Sequence, residues 1–504
     1  MFLDSVIASG LSSIPGDGVG SGADRRAVLR EAVLSGPGLG AGQGLEVGER
    51  EGLLAGLVSG ALVAAALARA GHRDRRVRAL PGPVVLVLLL ALVLHSREGY
   101  HSVLAKTMPH LRAGTSGPGV VPSAAAFSRA RARVGEDPGR YLFQAHAADA
   151  PDLGAGTLFH GMEVTAFDGT CLELAREDAL IDAFGAPTGA LRPQARVVTL
   201  GRCADRRILA AAIGAYTTSE QELVDRLADA LRPGTVNLAD RNFFSMRRFV
   251  AFAACGAHLL WRVKNGAKSV PARILQRLSD GSYLVRLRES SGMLTRRRKQ
   301  SGQRSAAPLP DTIARVIEFE VAVTSGRGKP RISRIRLITT LLDHKSFPAR
   351  ELAGLYAERW QIEITYLRIK SSLRGNGATL RGHREDLVRQ EIWALLTVYN
   401  MMCDLATNAA ALDGIDPDEI CFATVLRLTR AHLGADLPCP HCGHRTDDPV
   451  NALTSAIATS PRNRTHRNRT SPRTPRERET GHTRKATYTI TITEANLPQA
   501  DKNP

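Results

Sequence analysis

The sequence predicts a mixed α/β fold that follows a helical segment and is interrupted by a β-rich insertion. Between residues 157 and 265, short apolar strands alternate with helical patterns, which is typical of an α/β layer. Between residues 266 and 345 this alternation gives way to short strands separated by Gly, Ser and Pro. Residues 46–150 instead show helical periodicity and helix-start signals.

The N-terminal part begins with a Gly-rich extension, residues 1–45, for which little regular packing is expected. Two apolar runs follow, residues 53–68 and 84–94. Both are shorter than the roughly 20 residues that a helix needs to cross a bilayer. We therefore expect buried helices and no membrane contact.

A further helix is predicted after Pro122 and Ser123, because this pair is a helix-start signal. It carries Arg129, Arg131 and Arg133. Two interpretations remain open for these arginines. They belong either to a solvated helix face or to a helical module that contacts a DNA backbone.

Five strands are predicted in the α/β part, three in succession and then two that alternate with helices. Their sequences are GMEVTAFDGT, ARVVTLGRC, RRILAAAIGAY, TVNLADRNFFS and AHLLWRVK. Ser219 and Glu222 form a capping box at the start of the helix before the fourth strand. This succession fits a ribonuclease H-like sheet.

Two aspartates are predicted to close strands of this sheet. Asp168 ends the first strand and Asp240 ends the fourth. Ligands of open α/β sheets gather at the carboxyl ends of the strands, so both carboxylates are candidates for a functional site. Ordinary turn chemistry is the alternative for each, since Asp168 precedes Gly169.

A second group of polar residues recurs at helical spacing in YAERWQIEITYLRIK, residues 356–370. On a continuous α-helix, Tyr356, Arg359, Glu363 and Lys370 fall within about 60° of one another. Apolar residues occupy the neighbouring stripe, so the polar stripe is expected to border a cleft. A carboxylate beside two cations and a phenol suits a metal ion next to a phosphate. The alternative is an exposed helix with ion pairs such as Arg359–Glu363.

The spacing Tyr-x2-Arg-x3-Glu-x6-Lys resembles the glutamate signature of the insertion-element-4 (IS4-type) group of DDE transposases. The segments FDGT and LADRNFF resemble the two aspartate motifs of the same group. The resemblance covers roughly residues 75–400. It implies a ribonuclease H-like catalytic core with an inserted β-rich domain, preceded by a helical domain that binds transposon ends. It also implies cut-and-paste transposition of an insertion sequence, by metal-dependent phosphodiester hydrolysis and strand transfer at terminal inverted repeats.

Roles for the site residues follow from this resemblance and from the chemistry of carboxylates. The predicted catalytic and metal-binding residues are Asp168, Asp240 and Glu363. Three converging carboxylates can hold two divalent ions, here Mg²⁺, for which Mn²⁺ can substitute. The predicted DNA phosphate contacts are Tyr356, Arg359 and Lys370. The expected partners are double-stranded DNA, both transposon ends and target, and a second copy of the chain in a homodimer.

Composition agrees with a nucleic-acid partner. The chain carries 67 Lys and Arg against 49 Asp and Glu, a net charge of +18. Its seven cysteines are an odd number, and the first is Cys171, which argues for a reducing compartment instead of a disulfide framework. The start of the sequence lacks the basic residues of a signal peptide. With the resemblance, these features predict a cytoplasmic, nucleoid-associated prokaryotic enzyme.

The insertion is expected to be all-β, with the strands SYLVRLRE, GMLTRRRK, ARVIEFEVAV and RISRIRLITTL. It is rich in basic residues, namely Arg296, Arg297, Arg298, Lys299, Arg331, Arg334 and Arg336. These form either an exposed charged sheet or a surface that lies along a DNA backbone, and the resemblance favours the second interpretation.

The second part of the core is predicted at 346–412, including a long apolar helix from about residue 384 to 411. A helical segment at 413–450 and a basic, disordered tail at 451–504 follow. A half zinc site is an open possibility, because three of the four required ligands are present. They are Cys439, Cys442 and either His441 or His444.

Three other functions are weighed against transposition. A metal-dependent endonuclease that cuts DNA without joining it would use the same carboxylates. A catalytically silent DNA-binding protein of transposase descent would not need all three of them. A helical membrane-associated protein would use the two apolar runs, and recovery without detergent would exclude it.

Overall fold

The computed structural model describes residues 57–74, 80–111, 121–151, 153, 155–266, 270–302, 305–324, 331–435, 448–462 and 487–493. The predicted Gly-rich extension and the candidate zinc ligands between Cys439 and His444 lie outside the described residues.

Among the described residues, five helices precede the sheet, within the segment for which the sequence predicts helices. They are α1 (Gly60–Arg69), α2 (Gly82–Leu94), α3 (Tyr100–Leu111), α4 (Ala124–Val134) and α5 (Asp137–Ala148). The second apolar run forms α2, whose side chains lie inside the hydrophobic core. Ser123 caps α4 by accepting a hydrogen bond from the Ala126 amide at 3.2 Å. In the described part of the chain, every helix is too short or too polar to span a membrane.

One mixed sheet runs through the molecule. Its strands are β1 (Glu163–Glu173), β2 (Gln194–Arg202), β3 (Ile208–Ala215), β4 (Thr235–Ala239), β5 (His258–Val263), β6 (Ala272–Arg277), β7 (Tyr283–Leu287), β8 (Thr312–Thr324), β9 (Arg331–Thr339) and β10 (Thr487–Ile492). They lie in the order β3-β2-β1-β4-β5-β9-β8-β7-β6, with β10 beside β8. Strands β1, β4 and β5 are parallel, and the other neighbours are antiparallel. All five strands predicted for the α/β part are present.

Helices cover both faces of the sheet. The described helices that follow the start of the sheet are α6 (Asp178–Phe184), α7 (Glu220–Asp225), α8 (Met246–Ala253), α9 (Ser291–Ser301), α10 (Ala349–Leu355), α11 (Trp360–Leu367), α12 (Glu385–Asp413), α13 (Phe422–Ala435) and α14 (Pro449–Ala458). Successive strand residues alternate between the faces. Ala166 and Leu238 pack in the core that includes α11 and α12, whereas Phe167 and Ala239 pack in the core that includes α8.

The long helix α12 joins the N-terminal helices to the sheet, in agreement with the prediction of a covering helix from about residue 384. Most of its length is buried, and it shares one hydrophobic core with α1 to α5. Asn400 fixes it to β3. The Asn400 Oδ1 accepts from the Ile208 amide at 2.9 Å, and its Nδ2 donates to the Ile208 carbonyl at 2.8 Å.

The three arginines of α4 have different environments. Arg129 is exposed. Arg131 is 1% exposed and donates to the Gln390 side chain, the Tyr100 hydroxyl and the Leu387 carbonyl, each at 2.9 Å. Neither interpretation of the sequence, a solvated face or a DNA contact, therefore holds for Arg131. It ties α4 to α3 and α12.

The insertion is not all-β, contrary to the sequence prediction. GMLTRRRK, predicted as a strand, lies in helix α9. Ser290 caps this helix by accepting from the Met293 amide at 3.3 Å, and the Met, Leu, Arg and Lys that follow are good helix formers. The strands β6 to β9 also extend the main sheet, because β9 pairs with β5.

Several basic side chains of the insertion are engaged within the protein. Arg297 pairs with Glu289 at 2.8 Å, and Arg334 pairs with Glu320 at 2.8 Å. Arg336 is buried and lies 3.3 Å from Glu318. By contrast, Arg296 and Lys299 of α9 are exposed. These two side chains of α9 are therefore accessible to a DNA backbone.

Two parts of the tail are folded, contrary to the prediction of disorder from residue 451. Helix α14 is capped by Asp448 and buries Leu453 and Ile457 in the core that includes α12. Strand β10 pairs with residues 319–324 of β8, beyond the half of β8 that pairs with β7. The alternating segment TYTITIT thus forms a strand whose partner, β8, is distant in the sequence.

We expect Arg131→Ala to destabilise the protein by about 3 kcal/mol, because it leaves buried polar partners on α12 without a donor. Urea unfolding monitored by circular dichroism measures the change. Arg129→Ala is the matched control on the same helix, and it should alter the free energy of unfolding by less than about 0.5 kcal/mol. Equal effects of the two substitutions would contradict the internal role of Arg131.

Candidate active site

The two aspartates lie where the parallel pairing of β1 and β4 stops. These strands pair from Glu163 with Thr235 to Ala166 with Leu238. Beyond Ala166, β1 continues to Glu173 beside β2. Asp168 therefore lies inside its strand, whereas the sequence predicts that it ends the strand. Its strand ends later because pairing with β2 supports it.

Extending the register of β1 and β4 by two residues beyond its last pair brings Asp168 level with Asp240. Each lies two residues beyond a paired position, Ala166 and Leu238 respectively. Neighbouring strands are about 4.8 Å apart, and residues two apart share a face. Both aspartates therefore belong to the face covered by α11. The opening between β1 and the end of β4 lies at the carboxyl edge of the parallel strands, where the sequence predicts a site.

The segment that carries Glu363 is interrupted, whereas the sequence predicts one continuous α-helix. A 3-10 turn at Tyr356–Arg359 follows α10, and a π-helical turn at Arg368–Leu373 follows α11. A 3-10 helix has 3.0 residues per turn and a π-helix is wider than an α-helix, so the rotation of about 100° per residue fails at both ends. The predicted stripe accordingly divides. Tyr356 is buried and Lys370 is exposed.

Two tyrosines tie this segment to the strands of the aspartates. Tyr356, 7% exposed, donates a long hydrogen bond of 3.4 Å to the carbonyl of Ala239, which immediately precedes Asp240. Tyr366 donates to the Asp168 carbonyl at 2.6 Å. Burial raises the pKa of both phenols, so both hydroxyls keep their protons. Sequence reasoning missed Tyr366, although a buried phenol needs a hydrogen-bond partner.

Arg359 brings Asp168 and Glu363 together. Its Nη2 donates to the Glu363 Oε1 at 2.7 Å, and its Nη1 lies 3.9 Å from the Asp168 Oδ2. The Arg359 side chain is 14% exposed. The i,i+4 ion pair that the sequence offered as an alternative is therefore present, but it is part of a contact with β1. One cation lies between two carboxylates that are distant in sequence.

The environment of Asp168 disfavours its charged form. Burial raises the pKa of Asp168 to about 6, and the nearby carboxylates of Glu363 and Glu220 act in the same direction. The Arg359 guanidinium and the Gly169 amide oppose this shift without cancelling it. A second positive charge at this position would therefore be strongly favoured.

Asp240 and Lys370 lie at more open positions. The Asp240 Oδ1 accepts from the Arg241 amide at 2.7 Å and lies 3.8 Å from the Arg262 Nη1. Partial burial lowers the pKa of Lys370, while the neighbouring Cys171, Glu173 and Asp168 raise it. Lys370 thus lies near the acidic groups of β1, and its exposed side chain is accessible to a ligand.

The donor set suits a divalent metal, because carboxylate oxygens are the ligands that Mg²⁺ prefers. A guanidinium already lies between two of the three carboxylates, which shows that the position attracts a cation. Within the described part of the chain, no three side chains of Asp, Glu, His or Cys lie close enough together to hold one metal ion. The Arg359 guanidinium occupies the space between the Asp168 and Glu363 carboxylates.

Comparisons with known proteins bear on the same regions. A family model described as the insertion element 4 transposase N-terminal domain matches residues 49–144, and the transposase DDE domain model matches residues 159–401. The transposase InsG for insertion sequence element IS4 of Escherichia coli (strain K12) is 27% identical over 369 residues, which cover 72% of this chain and 78% of that protein. A cryo-EM structure of the piggyBac transposase synaptic complex with hairpin DNA is 8% identical, with a TM-score of 0.41 over 81% of this chain and 84% of that one.

We expect Asp168→Asn to stabilise the metal-free protein at high pH. The folded-state pKa of about 6 lies above the ordinary value of 3.8, so the folded protein holds a proton that the unfolded chain releases. The wild type therefore loses stability as the pH rises through this interval, and the variant does not. Urea unfolding in chelator at pH 8 should show the variant to be more stable by about 1–3 kcal/mol.

The difference should shrink as the pH falls from 6 toward 4, because the carboxyl of the folded wild type takes up its proton over this interval. A stability difference that stays constant between pH 8 and pH 4 would contradict the burial of Asp168 as the cause.

Proposed function

The chain belongs to the insertion-element-4 family of DDE transposases, and on that premise we propose that Asp168, Asp240 and Glu363 form its active site. It is an insertion-sequence transposase, an enzyme that cuts DNA and transfers strands. The observation that carries the assignment of the site is the meeting of Asp168 and Glu363 around Arg359. The level register of Asp168 and Asp240 supports the third carboxylate.

The proposed core is ribonuclease H-like. Strands β1 to β3 form an antiparallel meander, and β4 and β5 add in parallel on the other side of β1. This order, 3-2-1-4-5, supports the assignment made from the sequence. The insertion then separates β5 from the segment that carries Glu363, so the third carboxylate reaches the first two only through the fold.

Two Mg²⁺ ions, for which Mn²⁺ can substitute, are proposed to bind the three carboxylates. Bound there, such ions would neutralise phosphate charge and stabilise the attacking and leaving oxygens of the displaced phosphodiester. The chain itself supplies the ligands and, through Tyr356 and Tyr366, fixes the segments that carry them. Asp168 must lose its proton before it can act as a ligand.

Arg359 and Lys370 are the proposed DNA phosphate contacts. Once released from Asp168 and Glu363, the Arg359 guanidinium can bind two phosphate oxygens in a bidentate manner. Lys370 is exposed beside the same carboxylates. Tyr356 was predicted to join them, but its hydroxyl is buried against the Ala239 carbonyl. The contact with Ala239 supports a role for Tyr356 in holding the end of β4.

The proposed partners are the two transposon ends, the target DNA and a second copy of the chain. The net charge of +18 supports binding to a polyanion. On the insertion, the exposed Arg296 and Lys299 of α9 are the proposed contacts with the DNA backbone. A homodimer would present one active site to each end of the element.

Glu363→Gln should reduce cleavage of a terminal-repeat duplex by at least about 100-fold, because the amide neutralises one of the three charges. DNA affinity, measured by fluorescence anisotropy, should change by less than about threefold. Glu351→Gln is the matched control. Glu351 is exposed on α10 and contacts His160 at 2.8 Å, so its replacement should leave cleavage unchanged. Undiminished cleavage by Glu363→Gln would refute the site assignment.

The same substrates with precut ends test the full reaction. Joining of the 3′ ends to a target plasmid, lost in Glu363→Gln, is the expected result. Cleavage without any joining by the wild type would support the endonuclease alternative instead.

Lys370→Ala should weaken binding to DNA in a salt-dependent way. Removing one phosphate contact should reduce the slope of log affinity against log salt concentration by about 0.9. Lys345→Ala is the control, because Lys345 is exposed on the loop that precedes α10. An unchanged slope for Lys370→Ala would show that this side chain does not contact phosphate.

A further inference from the structure

We propose that Glu220 is a positioning residue that holds the loop of Asp240 against the strand of Asp168. The proposal rests on the proposed function, since it takes both aspartates as metal ligands. Glu220 is the first residue of α7 and lies close enough to Asp168 to affect its carboxyl group.

The first observation is a pair of hydrogen bonds to one asparagine. The Glu220 Oε2 accepts from the Asn242 Nδ2 at 2.8 Å, and the Gln221 Nε2 donates to the Asn242 carbonyl at 2.8 Å. Asn242 follows Asp240 by two residues. The start of α7 therefore holds both the side chain and the backbone of the loop that begins at Asp240.

The second observation concerns Gly169, the residue after Asp168. A Cβ at this position would lie 2.7 Å from the Glu220 Oε1, which is too close for any side chain. Gly169 lies within β1 and has no positive φ, so turn geometry does not explain the glycine. It leaves room for the Glu220 carboxyl group. One oxygen of this carboxyl group thus lies in the space that a side chain at Gly169 would occupy, and the other accepts from the loop of Asp240.

The exposed part of this loop lies between two anchors, the Tyr356 contact with the Ala239 carbonyl and the buried Phe243. The pairing of β4 with β1 ends at Leu238, and Arg241 and Asn242 are exposed. A ligand on a loosely held loop must be ordered when the metal binds, which weakens affinity. Partners that orient metal ligands are worth roughly 10–100-fold in metal affinity. Glu220 acts here through Asn242, and it does not need to touch the metal.

Manganese binding to the full chain without DNA tests the proposal. Electron paramagnetic resonance of free Mn²⁺ gives the affinity of each variant. Glu220→Gln and Glu220→Ala both remove the charge, but only the glutamine keeps an oxygen that can accept from Asn242. We expect Glu220→Ala to bind Mn²⁺ roughly 10-fold more weakly than Glu220→Gln. Equal affinities of these two variants would overturn the proposal.

Asn242→Ala supplies an independent variant in an exposed loop, so misfolding is not a concern. It should weaken Mn²⁺ binding as Glu220→Ala does, and the double variant should be no weaker than either single one. Losses that multiply in the double variant would overturn the proposed link. Glu222→Ala is the matched control, because the Glu222 side chain contacts Arg226 at the surface of the same helix. The affinity of this variant for Mn²⁺ should equal that of the wild type.

Gly169→Ala separates the positioning role from general stability. A strand alanine is ordinarily at least as stable as a glycine. Here its Cβ displaces the Glu220 carboxyl group, so Mn²⁺ affinity should fall while the melting temperature is kept. Unchanged affinity would contradict the proposal.

Asp168→Asn distinguishes failure of this inference from failure of the proposed site. If Asp168→Asn weakens Mn²⁺ binding and Glu220→Ala does not, only the role of Glu220 is overturned. If Asp168→Asn leaves Mn²⁺ binding unchanged, the metal site and the inference are both overturned.

Discussion

The guanidinium of Arg359 lies between the carboxylates of Asp168 and Glu363, and the DNA-free site depends on this shared cation. A charge pair about 4 Å apart is worth about 4 kcal/mol at an effective dielectric constant of 20. Burial of Asp168 nevertheless outweighs that attraction, because its pKa rises to about 6. The site is therefore short of positive charge. In the proposed function, divalent cations take this position and the Arg359 guanidinium moves toward phosphate.

Such a site requires rigid supports, since like charges repel one another. Tyr366 bonds to the carbonyl of Asp168 and Tyr356 to that of Ala239, so each tyrosine fixes the Glu363 segment to one aspartate strand. Behind them, α12 connects the sheet to the N-terminal helices through Asn400 and through the Arg131 contacts. The helical N-terminal part thus shares a core with the catalytic layer and contributes to its stability.

The elements that local pattern determines could be predicted from the sequence. Strands β1 to β5 follow apolar runs, α4 begins at a capping serine, and the acidic motifs are local. Features that depend on residues distant in the sequence could not be predicted in this way. Arg131 is buried because Gln390, 259 positions away, accepts from it. Asp168 lies inside its strand because β2 continues beside it. The 3-10 and π turns around α11 likewise leave no mark on the spacing of the polar residues.

The crystal structure of the protein soaked with Mn²⁺, with an anomalous difference map, tests the central claim most directly. The account predicts manganese within about 2.0–2.5 Å of carboxylate oxygens from Asp168, Asp240 and Glu363, with the Arg359 guanidinium moved out of the position it occupies without metal. Manganese bound elsewhere, or Arg359 still between Asp168 and Glu363 beside an ordered metal, would contradict it.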